Sequence, residues 1–139
     1  MEKELEEYIC GKFLGSGVYR KVYVCTFDPT LVVKVAEEYG GRASNLLENH
    51  IWWQIIETPI AKWFSPVVSV STSGKYLLQR RVEQLPKEQY PAELPSFFTD
   101  TKYSNFGHLK DKGFVCCDYG SFNLWRDINS RMKKVNWWG

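Results

Sequence analysis

Two acidic clusters late in this 139-residue chain raise a chemical question. One is Asp100-x-Lys102-x-x-Asn105 and the other is Asp118-Tyr119-Gly120. Carboxylate and amide oxygens are donors for a hard divalent cation, and an ammonium group is a partner for phosphate. Upstream, Gly15-x-Gly17 offers backbone without side chains, which lets N–H groups approach phosphate oxygens. Lys34 sits between Val33 and Val35. A charge in such a branched run belongs either on a strand's solvent face or against a buried partner. Together these residue types could hold a phosphorylated ligand and a metal ion.

The spacing Asp-x-Lys-x-x-Asn resembles a protein-kinase catalytic loop, and Asp118-Tyr119-Gly120 resembles the Asp-Phe-Gly that follows it, with Tyr for Phe. Three fixed residues match by chance at about one position in ten thousand. The second motif, one hairpin later, makes the pair more specific than either alone. Gly15-x-Gly17 with Val22 five residues on resembles the Gly-x-Gly-x-x-Gly-x-Val loop over ATP, except that Arg20 replaces the third glycine. That Arg either clashes or contacts phosphate directly. Lys34 stands where the strand lysine of Val-Ala-Ile-Lys belongs, and Glu48 is the choice for its helix glutamate. "YLLQRRVEQLP" resembles the strand and hinge beside adenine. The motifs come in family order from about Gly11 to Gly120.

This resemblance implies ATP and Mg²⁺ as cofactors. It gives Gly15, Gly17, Val22, Lys34 and Glu48 to nucleotide binding and Asn105 and Asp118 to the metal. Asp100 is implied as the base, and Lys102 as the residue that stabilises developing charge. Each residue also has a plain reading. Asp100, Asn105 and Asp118-Tyr119-Gly120 are turn formers, Gly15 and Gly17 shape a hairpin, and Glu48 is helix surface, with Glu37 and Glu38 nearer to Lys34 in sequence. His50 and His108 read as surface or packing residues.

Departures from the family pattern matter as much. Only a short Pro-rich stretch separates the hinge from the catalytic loop, and Phe98-Thr99 replaces the usual His-Arg. After Asp118, the 21 residues Tyr119–Gly139 leave no room for an activation segment or a helical C-lobe. Compact frames of this kind resemble small bacteriophage-encoded proteins. Two further readings follow. One is a non-catalytic, pseudokinase-like binding or inhibitor protein that works by protein–protein contact. The other is a small-molecule kinase similar to aminoglycoside and choline kinase-like enzymes, which also use a larger C-lobe for the acceptor.

Elements must position these residues. "KFLGSG", "KVYVCTF" and "LVVKVA" read as an antiparallel meander, with Asp28-Pro29-Thr30 as a tight turn. Residues 40–57 read as a helix with Leu47, Ile51, Ile55 and Trp52 on one stripe, ended by Thr58-Pro59. Trp52 and Trp53 cannot share a face. "PVVSVS" and "KYLLQRRV" form a hairpin. "SFF", "FGHL" and "FVCCD" read as short strands, and "SFNLWRDINSRMKKV" as a closing helix capped by Ser121. Trp137 and Trp138 are either a docking peg or a partner contact. The expected class is α+β: a kinase N-lobe-like antiparallel sheet with one packed helix, a reduced catalytic-loop and metal-loop part, and a C-terminal helix. It forms a single domain over 1–139, divided at 1–82, 83–97 (a Pro-rich hinge) and 98–139.

Bulk composition narrows the class. Net charge of +2 is too small to argue for nucleic acid. No apolar run nears the ~20 residues that span a bilayer, so no membrane partner is expected. The acidic start is no signal peptide, and the four cysteines form no Cys-x-x-Cys. The expectation is a reduced, cytoplasmic protein, in the host cytoplasm if phage-encoded. Aromatics at 16% can fill a core and leave surface for a protein partner.

Overall fold

A computed structural model describes residues 2–120 and 131–139, with the side chains of Glu2 and Lys3 left aside. An unexpected helix, α1 (Glu2–Ile9), leads into β1 (Cys10–Ser16), β2 (Lys21–Cys25) and β3 (Leu31–Val35). The long helix α2 (Tyr39–Ile55) follows, then β4 (Val67–Val70) and β5 (Tyr76–Arg80). These strands make one five-stranded sheet in the order β1-β2-β3-β5-β4, with every neighbouring pair antiparallel. The class is α+β, with a kinase N-lobe-like sheet and one main helix.

Turn chemistry sets the connections. Asp28 Oδ1 accepts from the Thr30 backbone N–H at 3.0 Å and Leu31 N–H donates to Asp28 O, which closes the β2–β3 turn. Gly74, at φ +80°, lets β4 reverse into β5 in a conformation that L side chains rarely adopt.

β3 is central, so both its faces are covered. Alternation sends Val33 and Val35 to a small cluster with Cys25, Tyr76 and Ile9 of α1. Lys34 therefore faces the α2 side of the sheet. The inward stripe of α2 is Gly41, Asn45, Glu48, Ile51, Trp52 and Ile55. Trp52 is buried and Trp53 is exposed. Leu47, expected on the inner stripe, is exposed instead. Asn45 and Glu48 take the positions that a purely apolar stripe would assign to hydrophobic residues.

A second region packs beneath the helix. β7 (Phe106–Leu109) and β8 (Gly113–Cys116) form the expected hairpin. β6 (Glu93–Pro95) pairs with β9 (Met132–Lys134). The expected closing helix is corrected at its end: Met132–Lys134 is a strand, because its backbone completes a ladder with β6. The rest of that helix, residues 121–130, lies outside the described residues. Ser96–Phe98 is a turn, with Phe98 N–H donating to Pro95 O at 3.1 Å, and the strand falls just before it. Tyr90, Leu94, Phe97 and Phe98 from this stretch join Phe64, Phe106 and Tyr119 in the larger core. Trp137 packs edge-on against Tyr90, Phe106 and Phe114 and donates Nε1–H to Pro91 O at 2.9 Å. Trp138 stays exposed, with the Lys102 ammonium over its ring. Among the described residues, no helix is long and apolar enough to cross a membrane.

Candidate functional site

Glu48 is the centre of the site. It projects from α2 and is fully buried. A buried carboxylate is costly unless every lone pair finds a donor. Here Oε1 accepts from Lys34 Nζ, and Oε2 accepts from Arg20 Nη2 at 3.1 Å and from the Tyr119 backbone N–H at 3.1 Å. Glu37 and Glu38 are not Lys34's partners. Glu37 lies beside Lys75 instead. Lys34 also donates to Cys117 O. One lysine thus ties β3 to both α2 and the chain entering Asp118.

Asn105 and Asp118 are neighbours for a local reason. A 3₁₀ turn at Tyr103–Asn105 precedes β7, and Asn105 O accepts backbone N–H groups from Cys117 at 2.7 Å and Asp118 at 3.3 Å. The start of the β7–β8 hairpin is thereby stitched to its exit. Tyr119 then turns inward. Its hydroxyl donates to Ser65 O at 2.7 Å, and its ring meets Phe64 edge-on. Burial pushes the Tyr119 phenol well above its ordinary pKa. Gly120 is forced by space, because a Cβ there would lie 2.8 Å from Ser44 O.

Gly17, Val22, Lys34, Asp100, Lys102, Asn105 and Asp118 all line one cavity of about 360 Å³, a size within the range of small-molecule sites. Glu48 lies behind Lys34, and Gly15 sits on β1 opposite Val22, outside the lining. The strand and connection at 76–86 do not line this cavity either. Asp100 Oδ1 accepts from the Lys102 backbone N–H at 3.3 Å. The Lys102 ammonium lies 5.5 Å from the Trp138 ring centroid. A Cβ at Gly15 or Gly17 would meet nothing within 4 Å, and neither residue has a positive φ. Neither packing nor backbone conformation therefore requires glycine at these two positions. His50 is exposed and away from the cavity, and His108 exchanges backbone hydrogen bonds with Glu83.

Arg20 is the residue whose role the sequence left open. Its guanidinium turns inward and bridges Asn45 Oδ1 at 3.0 Å, Glu48 Oε2 at 3.1 Å and Asp118 Oδ1 at 2.5 Å. Burial disfavours its charge, but Glu48 and Asp118 outweigh that and hold its pKa above the usual guanidinium value. Asn45 is a second residue the sequence did not single out. Its amide donates to Lys34 O at 3.1 Å and Gly74 O at 2.8 Å, and so locks α2 to β3 and the β4–β5 turn. A polar residue three positions before Glu48 on the same helix face was the available signal.

Asp118 and Asn105 provide one carboxylate and one amide oxygen. Mg²⁺ is commonly held by one or two carboxylates together with substrate phosphates, so this donor set fits an ion that arrives with phosphate. Among the described residues, no group of three or more His, Cys, Asp or Glu could hold a metal ion alone.

No protein-family model matches the chain. No curated protein matches it. Solved structures similar to it include the streptomycin–ATP ternary complex of APH(2″)-IIa, at 18% identity over 61% of this chain with a TM-score of 0.47. The gentamicin complex of the same protein matches at 21% identity over 64% of this chain, TM-score 0.48. ADP-bound aminoglycoside phosphotransferase APH(2″)-Ib does so with the same three values. This chain spans 28% of the first of these and 30% of the other two. Its own sheet order and its strand-to-helix Lys–Glu pair agree with the kinase N-lobe-like arrangement expected from the sequence.

Proposed function

We propose that the chain is a kinase-like protein that binds ATP with Mg²⁺ and transfers the terminal phosphoryl group to a hydroxyl of a protein or small molecule. One observation carries this reading: seven candidate residues, from the loop at 17, the strands β2 and β3 and the loops at 100–105 and 118, meet around one cavity. Such convergence is not expected of unrelated turn formers.

In this reading Lys34 binds phosphate and Glu48 fixes its position. The open backbone at Gly17 comes close to the phosphates, Gly15 keeps the approach along β1 free of side chain, and Val22 packs against the nucleotide. Asp118 and Asn105 would hold Mg²⁺, which supplies charge neutralisation on the phosphates. Asp100 accepts the acceptor hydroxyl's proton, and Lys102 leaves Trp138 to meet the developing negative charge. The cavity would take the phosphates, and adenine would lie towards the 76–86 segment, which resembles the hinge strand.

Calorimetric titration with ATP tests the reading, with Lys34→Ala and Asp118→Ala as controls. Ligand at 100 times Kd raises stability by about 2.7 kcal/mol, which a thermal shift also detects. The expected result is saturable binding that Lys34→Ala abolishes. Absence of binding, with and without Mg²⁺, overturns it.

A second reading, a binding or inhibitory protein on the same frame, rests only on the exposed apolar residues near the glycine loop. Val18 and Tyr39 are 90% and 88% exposed, and the Tyr19 ring lies against Gly40. That protein would keep its biological effect after Asp100→Ala, whereas a phosphotransferase would lose it.

A further inference from the structure

We propose that Arg20 is a resident cation of the Asp118 site, so that Mg²⁺ enters only by displacing its guanidinium. The inference deepens the nucleotide reading and rests on it for its consequence in ATP binding. Its basis is geometric. Arg20 Nη2 is 2.5 Å from Asp118 Oδ1, in the direct contact that a divalent ion bound to that oxygen would need. The guanidinium cannot drift aside freely, because Asn45 and Glu48 hold it on the inner side. Both of those anchors are fully buried, and the Arg20 side chain itself is only 9% exposed. Its partner, Asp118, is half exposed and remains reachable from the cavity.

Charge arithmetic gives the consequence. Around the cavity's inner wall, Lys34 and Arg20 face Glu48 and Asp118, two positive groups against two negative ones. A divalent ion added beside Asp118 meets a like charge already in place. A triphosphate added without metal meets two cations, one of them a planar donor suited to phosphate oxygens. ATP therefore binds with weak dependence on Mg²⁺, and Arg20 is the residue that sets that dependence.

Two titrations test this on the full chain, comparing wild type with Arg20→Gln and Arg20→Lys. In the first, Mn²⁺ is titrated without nucleotide but with inorganic phosphate present, because one carboxylate and one amide fit an ion that arrives with phosphate, and binding is followed by electron paramagnetic resonance. Arg20→Gln should bind Mn²⁺ at least about tenfold more tightly than wild type. Arg20→Lys, whose single ammonium cannot span three acceptors, should also bind it more tightly than wild type, and it decides the matter if Arg20→Gln does not fold. Equal or weaker Mn²⁺ affinity in the folded variants overturns the proposal. In the second titration, ATP is added in Mg²⁺ and in chelator. Wild type should differ less than about tenfold between the two, and Arg20→Gln more than that. Strong Mg²⁺ dependence in wild type also overturns the proposal. If no variant binds ATP while Mn²⁺ affinity rises as expected, the nucleotide reading fails and Arg20's hold on Asp118 stands.

Discussion

Glu48 is a fully buried carboxylate with a charged partner on each oxygen. Its buried carboxylate meets Lys34, Arg20 and the Tyr119 N–H at once. Replacing it with Ala leaves two buried cations without their shared counter-ion, although Lys34 keeps Cys117 O and Arg20 keeps Asp118. The expected loss is about 3 kcal/mol in urea unfolding, at the low end for breaking a buried pair. Lys102→Ala, at an exposed residue, should change stability by less than about 0.5 kcal/mol while weakening activity. Burial also governs the thiols. Burial pushes Cys117 up to about 12, and burial with Glu6 nearby pushes Cys10 up to about 11. The thiolate is the nucleophile, so both should alkylate far more slowly at pH 8 in the native chain than in urea. The sign for stability follows from the same shifts. The unfolded chain releases these protons first, so their contribution is complete below about pH 9 and falls away as pH rises towards the folded values.

Elements explain why some of this was legible in the sequence. Short apolar runs placed β2, β3 and the β4–β5 hairpin, and turn residues placed Asp28–Thr30, because these signals are local. The Lys34–Glu48 pairing was legible only through the resemblance, which supplies a strand lysine and a helix glutamate, because the residues alone left Glu48 equally placed on the helix surface. The inward face of α2 was harder. Its apolar stripe pointed to Leu47, while Asn45 and Glu48 hold inward places because hydrogen bonds offset their burial. Arg20 was out of reach for another reason. Its partners lie 25, 28 and 98 residues away, and no periodicity encodes them. Two glycines separate packing from ligand access. Gly120→Ala forces a Cβ to 2.8 Å from Ser44 O and should cost about 1–3 kcal/mol by pushing the 118–120 turn off α2. A Cβ in Gly17→Ala meets nothing within 4 Å yet faces the cavity, so stability should stay within about 0.5 kcal/mol of wild type while ATP affinity drops. Thermal unfolding and calorimetry on the two variants check both halves.

Across the whole molecule, the sheet and α2 form one wall of the site, and the β7–β8 hairpin with its flanking loops forms the other. The C-terminal residues hold that second wall in place. β9 pairs with β6, Trp137 fills the aromatic core, and Trp138 O accepts the Tyr103 N–H at 2.7 Å. Trp137→Ala should therefore cost about 3 kcal/mol, whereas Trp138→Ala should cost well under half of that, read from urea unfolding. The central claim is that the two walls enclose phosphate and metal. A crystal structure with a non-hydrolysable ATP analogue and Mg²⁺ tests it most directly. The account predicts phosphate oxygens at Lys34 and beneath Gly17, with the ion against Asp118 and Asn105 and the Arg20 guanidinium moved off Asp118 Oδ1. An analogue bound elsewhere, or no ion at Asp118 and Asn105 at saturating analogue and Mg²⁺, would contradict it.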